Sequence, residues 1–283
     1  VVATLRGTAN PGLQYVVGSH FDSVEPGPGA DDNTSGTSAL LEAARVLASH
    51  PQPATIRFVW FTGEEAGLLG SREFVRHAKA AGDRVVAALN NDMVGWSNDD
   101  RIDDTIRYSN DGLRDLQHAA AFLFTDLITY DARYYKFTDA HSLYDGFGDV
   151  IAGIGSYPIL GNPHYHQSHD VLETINPRLI AEVSKTTIAS IMLMASSPAR
   201  LNGLQATRRG DGVVDLKWEA APERGVVSYR VRWSGNGPTE RRTLVARGSS
   251  AQAPGVPPGA ELSVRAIGAG GLEGWDWARV RVP

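Results

Sequence analysis

The sequence contains no cysteine, and this single absence removes several classes of functional site. It excludes a disulfide framework, a thiol nucleophile and a cysteine-ligated zinc site. It leaves the compartment open, because a chain without cysteine suits an oxidising or a reducing space.

Basic clusters and long uninterrupted apolar runs are also lacking. The formal net charge is −5 over 283 residues, and without a basic cluster we expect no nucleic-acid partner. The longest apolar stretch, residues 179–195, contains Glu182 and Lys185, so we expect no membrane span. No signal peptide is visible and the chain starts at Val1 inside a predicted strand, so we expect a processed or truncated form, from which an amino-terminal part and any targeting segment are missing.

The segment 19–36, SHFDSVEPGPGADDNTSG, joins a predicted strand to a predicted helix. The β-branched run LQYVVG before it predicts a buried strand, and the apolar spacing of SALLEAARVLA after it predicts a helix. Its imidazole and carboxylates are donors that divalent metals use in proteins. The alternative is that Asp31 and Asp32 only cap the helix while His20 is buried at the strand end.

Polar side chains also follow two further apolar runs, TIRFVWFT and VVAAL, which predict buried strands. Strands that alternate with helices indicate a layered α/β domain, whose ligands collect at the carboxyl ends of the strands. Because His20, Glu64, Glu65 and Asp92 each follow a predicted strand, we expect them to converge at one edge of the sheet. This convergence favours the metal site over the capping alternative.

A second histidine-rich loop, NPHYHQSHD, spans residues 162–170. Neighbouring side chains cannot all face one ion, so we expect one metal ligand from its three histidines. A helix predicted from Pro177 to about Ser196 closes the domain. We expect His118 and His141 to have surface, packing or loop roles.

The pattern changes after Pro198. Short alternating strands between Gly/Pro turns predict a β-sandwich of about seven strands, so we place one domain at 1–199 and a second at 200–283. Trp218 and Tyr229 lie where buried aromatics of such a sandwich would pack, and the domain resembles a fibronectin type III module. Residues 201–283 carry twelve Lys/Arg and eight Asp/Glu. This positive surplus can dock the domain onto the acidic first domain or onto an external polymer or surface.

Five motifs in order, SHFDS, GADDNTSG, FTGEEAGLLGS, NNDMVG and HYHQSHD, resemble those of the di-zinc aminopeptidases of clan MH, which include secreted bacterial leucyl-type enzymes. The resemblance implies the zinc exopeptidase fold, a mixed β-sheet sandwiched by helices. It also implies two zinc ions per chain. One ion is placed on His20 and Asp92, the other on Glu65 and His166, and Asp32 bridges both.

The resemblance further assigns roles around these ligands. Glu64 matches the general base that acts on a metal-bridging water, and Tyr165 matches a position that in some members hydrogen-bonds the tetrahedral intermediate. Asp22 and Asp170 match carboxylates just outside the metal ligands, Asp22 being the one that orients His20. The family also implies a cis peptide between Asp32 and Asn33.

The sequence therefore predicts a zinc-dependent aminopeptidase, secreted or periplasmic by resemblance, that hydrolyses the N-terminal bond of peptide substrates. We consider as alternatives a carboxypeptidase, a mono-zinc acyltransferase of the same fold, and a binding module without catalysis. The complete set of ligands and the base argues against the last.

The direction of attack depends on the charges beside the metals. An acidic site favours a free ammonium group, so we expect cleavage of unblocked Leu- or Phe-type amides. A carboxypeptidase would need a cation to hold the terminal carboxylate, and the sequence offers Arg133 and Lys136 for that purpose.

Overall fold

The computed structural model describes residues 1–99, 101–235 and 240–282. The chain forms two compact units, the first Val1–Ala195 and the second beginning at Ser196. Each unit has its own sheets and its own apolar core.

The first unit is built on a mixed sheet of seven strands, flanked by helices. The order across the sheet is β1-β3-β2-β4-β7-β5-β6. The four central strands β3, β2, β4 and β7 run parallel, whereas β1 is antiparallel to β3 and β5 is antiparallel to β7. The expected mixed α/β fold is thereby confirmed. The strands are β1 Val2–Leu5, β2 Asn10–His20, β3 Ala54–Phe61, β4 Arg84–Asn90, β5 Asp103–Tyr108, β6 Ile128–Ala132 and β7 Ile151–Gly155.

Five helices accompany this sheet in the described residues: α1 Gly36–Leu47, α2 Leu69–Ala81, α3 Asp111–Phe124, α4 Asp139–Phe147 and α5 Pro177–Ser196. Side chains of α1, α3 and α5 share one buried apolar cluster with Ile154 of β7. Helix α2 lies against α4, where the Ser71 hydroxyl donates to Ser142 Oγ over 2.9 Å. Burial of these faces against the sheet fixes the strand ends that carry the polar residues.

Helix α5 is, by length and composition, apolar enough to cross a membrane. Leu179, Val183, Ile191 and Met194 on it are fully buried in the first unit. Core helices of this kind commonly pass the same test, so the apolar composition has an explanation in the packing.

The second unit contains seven described strands in two antiparallel sheets, ordered β11-β10-β13-β14 and β12-β9-β8. Its core contains Trp218 and Tyr229, whose rings lie 5.3 Å apart edge to face. The likeness to a fibronectin type III module stays a prediction. The strands are β8 Gln205–Arg208, β9 Val214–Lys217, β10 Val226–Ser234, β11 Arg241–Ala246, β12 Ser250–Ala253, β13 Glu261–Gly268 and β14 Ala278–Arg281.

Candidate metal centre

Three neighbouring parallel strands deliver polar residues to one edge of the sheet. His20 is the last residue of β2, Glu64 and Glu65 follow β3, and Asp92 follows β4. The structure brings these four side chains into one cleft, together with Asp32. The strand-end argument from the sequence leads to the same group.

Asp32 lies between two histidines that come from distant parts of the chain. Its Oδ1 is 3.3 Å from Nε2 of His20, and its Oδ2 is 3.3 Å from Nε2 of His166. Each carboxylate oxygen therefore faces a different imidazole, which is the arrangement that a carboxylate bridging two cations requires. The peptide between Asp32 and Asn33 is cis, as the resemblance implies.

The potential ligand atoms fall into two groups, and Asp32 belongs to the second. His20, Glu64 and Asp92 form the first, and Asp32, Glu65 and His166 form the second. Nε2 of His20 is 3.6 Å from Oδ1 of Asp92, and Nε2 of His166 is 3.1 Å from Oε2 of Glu65. By distance alone Glu64 joins the first group, so geometry does not separate its predicted role as base from that of a ligand.

The carboxylates at this site are crowded together in a buried place. Burial, and after it the negative charge of Asp92, raises the pKa of Glu64 to about 9. Burial and the neighbouring Asp32 raise the pKa of Glu65 to about 7. Although burial disfavours its charged form, hydrogen bonds to Asp22, Asp32 and Asp92 raise the pKa of His20 well above its usual value. The site therefore favours bound protons or metal cations.

The donor set fits zinc. Two imidazole nitrogens and three carboxylates at this spacing are ligands that zinc takes in proteins, with no thiolate needed. Oε1 of Glu65 is buried and has no hydrogen-bond partner among the described residues, as expected of an oxygen that awaits a cation.

Asp22 connects the first histidine to the loop that carries both glutamates. Its backbone carbonyl accepts a hydrogen bond from Nδ1 of His20 at 3.1 Å, which directs Nε2 toward Asp32 and Asp92. Its carboxylate accepts the backbone N–H groups of Glu64 and Glu65 at 3.2 Å each. One residue thus orients a ligand on β2 and the loop after β3.

Asp170 supports Asp32 instead of a histidine. Its two carboxylate oxygens accept the backbone N–H groups of Asp31 and Asp32 at 2.9 and 3.1 Å. The Asp31 carboxylate is fully buried and accepts from Gly95 N and from Asn162 Nδ2, at 2.8 and 2.7 Å. Asp31 is therefore occupied in holding the loop, whereas Asp32 points into the cleft.

The loop 162–170 directs one of its three histidines into the cleft, namely His166. Tyr165 stacks on its ring at a centroid distance of 3.8 Å and also lines the cleft. His164 and His169 contact each other instead, with their Nδ1 atoms 2.7 Å apart. The His164–His169 contact links the two sides of the loop around His166. No disulfide can form that link, because the chain has no cysteine.

The remaining candidates lie elsewhere. His118 contacts Thr129 through Nδ1 at 2.7 Å, and His141 lies in α4, 3.5 Å from Asp145. Arg133 is exposed and paired with Asp111 at 2.7 Å, so it does not point into the cleft. Lys136 is exposed and does not line the cleft either.

A different cation, Arg107 of β5, lines the cleft. The sequence reading missed it because β5 has the sequence DDTIRY, in which charged residues interrupt the apolar pattern. All six residues of this strand are nonetheless buried.

Comparisons with known proteins find a peptidase family and a probable aminopeptidase. A model of Peptidase family M28 matches residues 1–191. A probable leucine aminopeptidase from Arthroderma otae is 34% identical over 194 residues, covering 61% of this chain and 52% of the relative.

Comparison with solved structures also finds aminopeptidases. The LapA aminopeptidase of Legionella pneumophila superposes with a TM-score of 0.61 at 28% identity, covering 65% of this chain and 52% of that one. BSAP, a zinc aminopeptidase from Bacillus subtilis, gives 0.59 at 28% identity, covering 67% and 48%. This chain thus spans about half the length of these relatives. With its first 191 residues matched to the family, the chain belongs to Peptidase family M28.

Proposed function

We propose that the chain is a di-zinc exopeptidase that hydrolyses the N-terminal bond of peptides. The observation that carries the proposal is the position of Asp32, whose two oxygens each face a histidine of a different group. The leucine aminopeptidase and zinc aminopeptidase names of the relatives support the same reaction.

In this proposal the ligands divide between two ions. His20 and Asp92 would hold one, Glu65 and His166 would hold the other, and Asp32 would contribute to both. Glu64 is left out because a catalytic zinc keeps a position open for water or substrate. Its backbone N–H is held by Asp22, so its carboxylate stays at the wall of the cleft.

The chemistry then divides between the metals and this chain's own residues. Bound zinc would polarise the scissile carbonyl and lower the pKa of a water molecule. Bound cations would lower the raised pKa of Glu64, so that its carboxylate could take a proton from the attacking water and deliver it to the leaving amine. Burial and the nearby carboxylates raise the pKa of Tyr165 well above its usual value, so its hydroxyl keeps its proton and can donate to the oxygen of the scissile carbonyl.

Substrate assays test the direction of attack. We expect the zinc-loaded protein to hydrolyse leucine p-nitroanilide and to lose this activity in the presence of a chelator. N-acetyl-leucine p-nitroanilide should not be cleaved, because the acidic site selects a free ammonium group. Release of the last residue from an amino-blocked peptide would instead establish a carboxypeptidase. Full zinc content without any turnover would establish a binding module.

A specific feature of the second unit favours a second function, binding of an acidic polysaccharide. A cleft on the sheet of β10, β11 and β13 is lined by four arginines and two glutamates. Arg232 and Arg265 lie over the ring of Trp277, with Cζ 3.8 and 4.2 Å from the ring centroid. Burial, and then the charges of Arg232 and Arg230, lowers the pKa of Arg265 to about 10. Glu273 forms salt bridges with Arg230, at 2.7 Å, and with Arg265, and an anionic ligand would add to this partial compensation of the four positive charges.

The second function is tested by elution of the full chain from immobilised heparin. Arg232→Met should elute at lower salt than the parent, because fewer cations contact the polymer. Arg209→Met is the matched control, since Arg209 is exposed and paired with Asp211 at 3.3 Å. Equal elution of all three proteins would refute this function.

A further inference from the structure

The candidate active cleft is lined by two chemically different sets of residues. One set is the histidines and carboxylates described above. The other forms a wall of Met93, Arg107, Tyr134, Phe137, Thr138 and Leu160. A substrate whose scissile bond lies at the acidic residues can place a neighbouring group against this wall.

Arg107 is the charged residue of that wall, and the protein holds it rigidly. It is only 5% exposed. Its Nη2 donates to Ser156 Oγ over 3.2 Å, and its Cζ lies 5.5 Å from the centroid of the Tyr134 ring. A Cβ atom at position 155 would collide with the guanidinium, so Gly155 gives the space that the side chain occupies.

No carboxylate of the described residues forms a salt bridge with this guanidinium. Asp104 lies on the same strand three residues away, so strand alternation turns it to the opposite face. Burial raises the pKa of Asp104, and the Arg107 charge opposes this only in part. Burial also disfavours the ionised form of Asp92, whereas His20 and Arg107 favour it, and its Oδ1 faces His20. Arg107 is therefore buried at the cleft near two carboxylates, without a salt bridge to any carboxylate of the described residues.

Buried charges in proteins are normally paired, because removing an unpaired ion from water is costly. An arginine fork preferentially takes a carboxylate through two parallel hydrogen bonds. We propose that Arg107 binds a carboxylate of the substrate beside the scissile bond, so that the enzyme favours peptides with an acidic group at this position. The inference rests on the proposed peptidase function and names its substrate class.

That carboxylate has two sources. One is the side chain of an amino-terminal Glu or Asp, and the other is the terminal carboxylate of a short peptide. We expect the parent enzyme to hydrolyse α-glutamyl p-nitroanilide at least as efficiently as leucine p-nitroanilide if the side chain is the source. Preferential hydrolysis of Ala-Leu over Ala-Leu-amide would identify the terminal carboxylate.

The decisive quantity is the ratio of kcat/KM for the carboxylate-bearing substrate to that for its neutral counterpart. Arg107→Met should lower this ratio by about ten- to a hundredfold, as expected for loss of a charge-assisted hydrogen bond. Ser156→Ala, which removes the hydroxyl that orients the guanidinium, should lower it by about fivefold. Arg133→Met is the matched control, because it removes an exposed arginine and should leave the ratio at the parent value.

Other outcomes separate this inference from the proposed function. If the parent prefers neutral substrates and Arg107→Met leaves the ratio unchanged, Arg107 is structural and the inference is wrong. If Arg107→Met does not fold, the kcat/KM ratio is measured in Arg107→Lys and Ser156→Ala instead. A ratio equal to that of the parent in both variants refutes the inference.

If the zinc-loaded parent cleaves no peptide, the proposed function fails. Calorimetry with free glutamate then tests Arg107 alone: binding that weakens in Arg107→Lys supports the inference, and no binding to the parent refutes it.

Discussion

Replacing Asp170 by alanine removes the carboxylate that accepts both backbone N–H groups before the cis peptide at Asp32. Asp170 is 2% exposed, so no solvent replaces the lost acceptor without rearrangement. An unsatisfied buried donor costs about 1–3 kcal/mol, and two of them predict a loss of about 2–6 kcal/mol in the free energy of unfolding. For a domain of this size, that lowers Tm by about 4–24 °C.

The assay is urea or thermal unfolding followed by far-UV circular dichroism, whose helical signal comes from the first unit because the described helices lie there. A chelator is present throughout, since bound metal would add its own stabilisation to the folded state. Asp115→Ala is the control, because Asp115 is exposed and, within the described part of the chain, forms a salt bridge with Arg114 alone. A loss for Asp170→Ala no larger than for this control would refute the assignment of Asp170 as the support of the bridging loop.

Further predictions concern catalysis, pH dependence and the second unit. Glu64→Gln should retain zinc but lose about 10²–10⁴-fold in kcat, because it removes only the proton carrier; near-parental turnover would contradict its role. Burial raises the pKa of Asp104 well above its usual value, so the parent loses stability as pH rises through the unfolded pKa of about 3.9 toward the folded one. Asp104→Asn should remove this loss of stability. An identical pH dependence of the free energy of unfolding in both proteins would show that ionisation of Asp104 does not destabilise the folded state. A chain that ends near Arg200 should still cleave leucine p-nitroanilide if it folds, since the proposed ligands all precede that position; complete inactivity of a folded truncation would place second-unit residues at the site.

The sequence predicts which residues lie at the sheet edge of the site, because the strands leading to them are buried and follow a simple apolar pattern. In β3 seven of the eight residues are buried, and the last six residues of β2 are buried. Such strands read as continuous apolar runs, and each run ends where a polar side chain follows. The convergence of His20, Glu64, Glu65 and Asp92 could therefore be derived from the pattern alone.

Other parts of the site have no such signal. Asp31 and Asp32 are adjacent carboxylates at the same predicted helix start. The partners of their carboxylates show which one enters the cleft, because Asp31 accepts from Gly95 and Asn162 whereas Asp32 faces the two histidines. The choice of His166 among three nearby histidines came from family resemblance. Its backbone has a positive φ of 57°, a local feature that spacing does not reveal.

Strand β5 and helix α4 were not predicted at all. Strand β5 buries Asp103, Asp104 and Arg107. Strand prediction depends on apolar periodicity, and three charged residues among the six of this strand interrupt it. Arg107 was consequently overlooked, while the exposed Arg133 and Lys136 were considered as carboxylate-binding residues. Buried charges that break a pattern mark the part of the cleft where specificity is expected.

The central claim is that Asp32 joins two metal sites, and zinc content tests it most directly. After saturation with zinc and removal of the excess, elemental analysis should find about two ions per chain in the parent and in Glu64→Gln. Asp32→Asn should retain fewer, because both sites lose a charged ligand. A single tightly bound ion in the parent, or an Asp32→Asn variant that retains the parental content, would contradict the account.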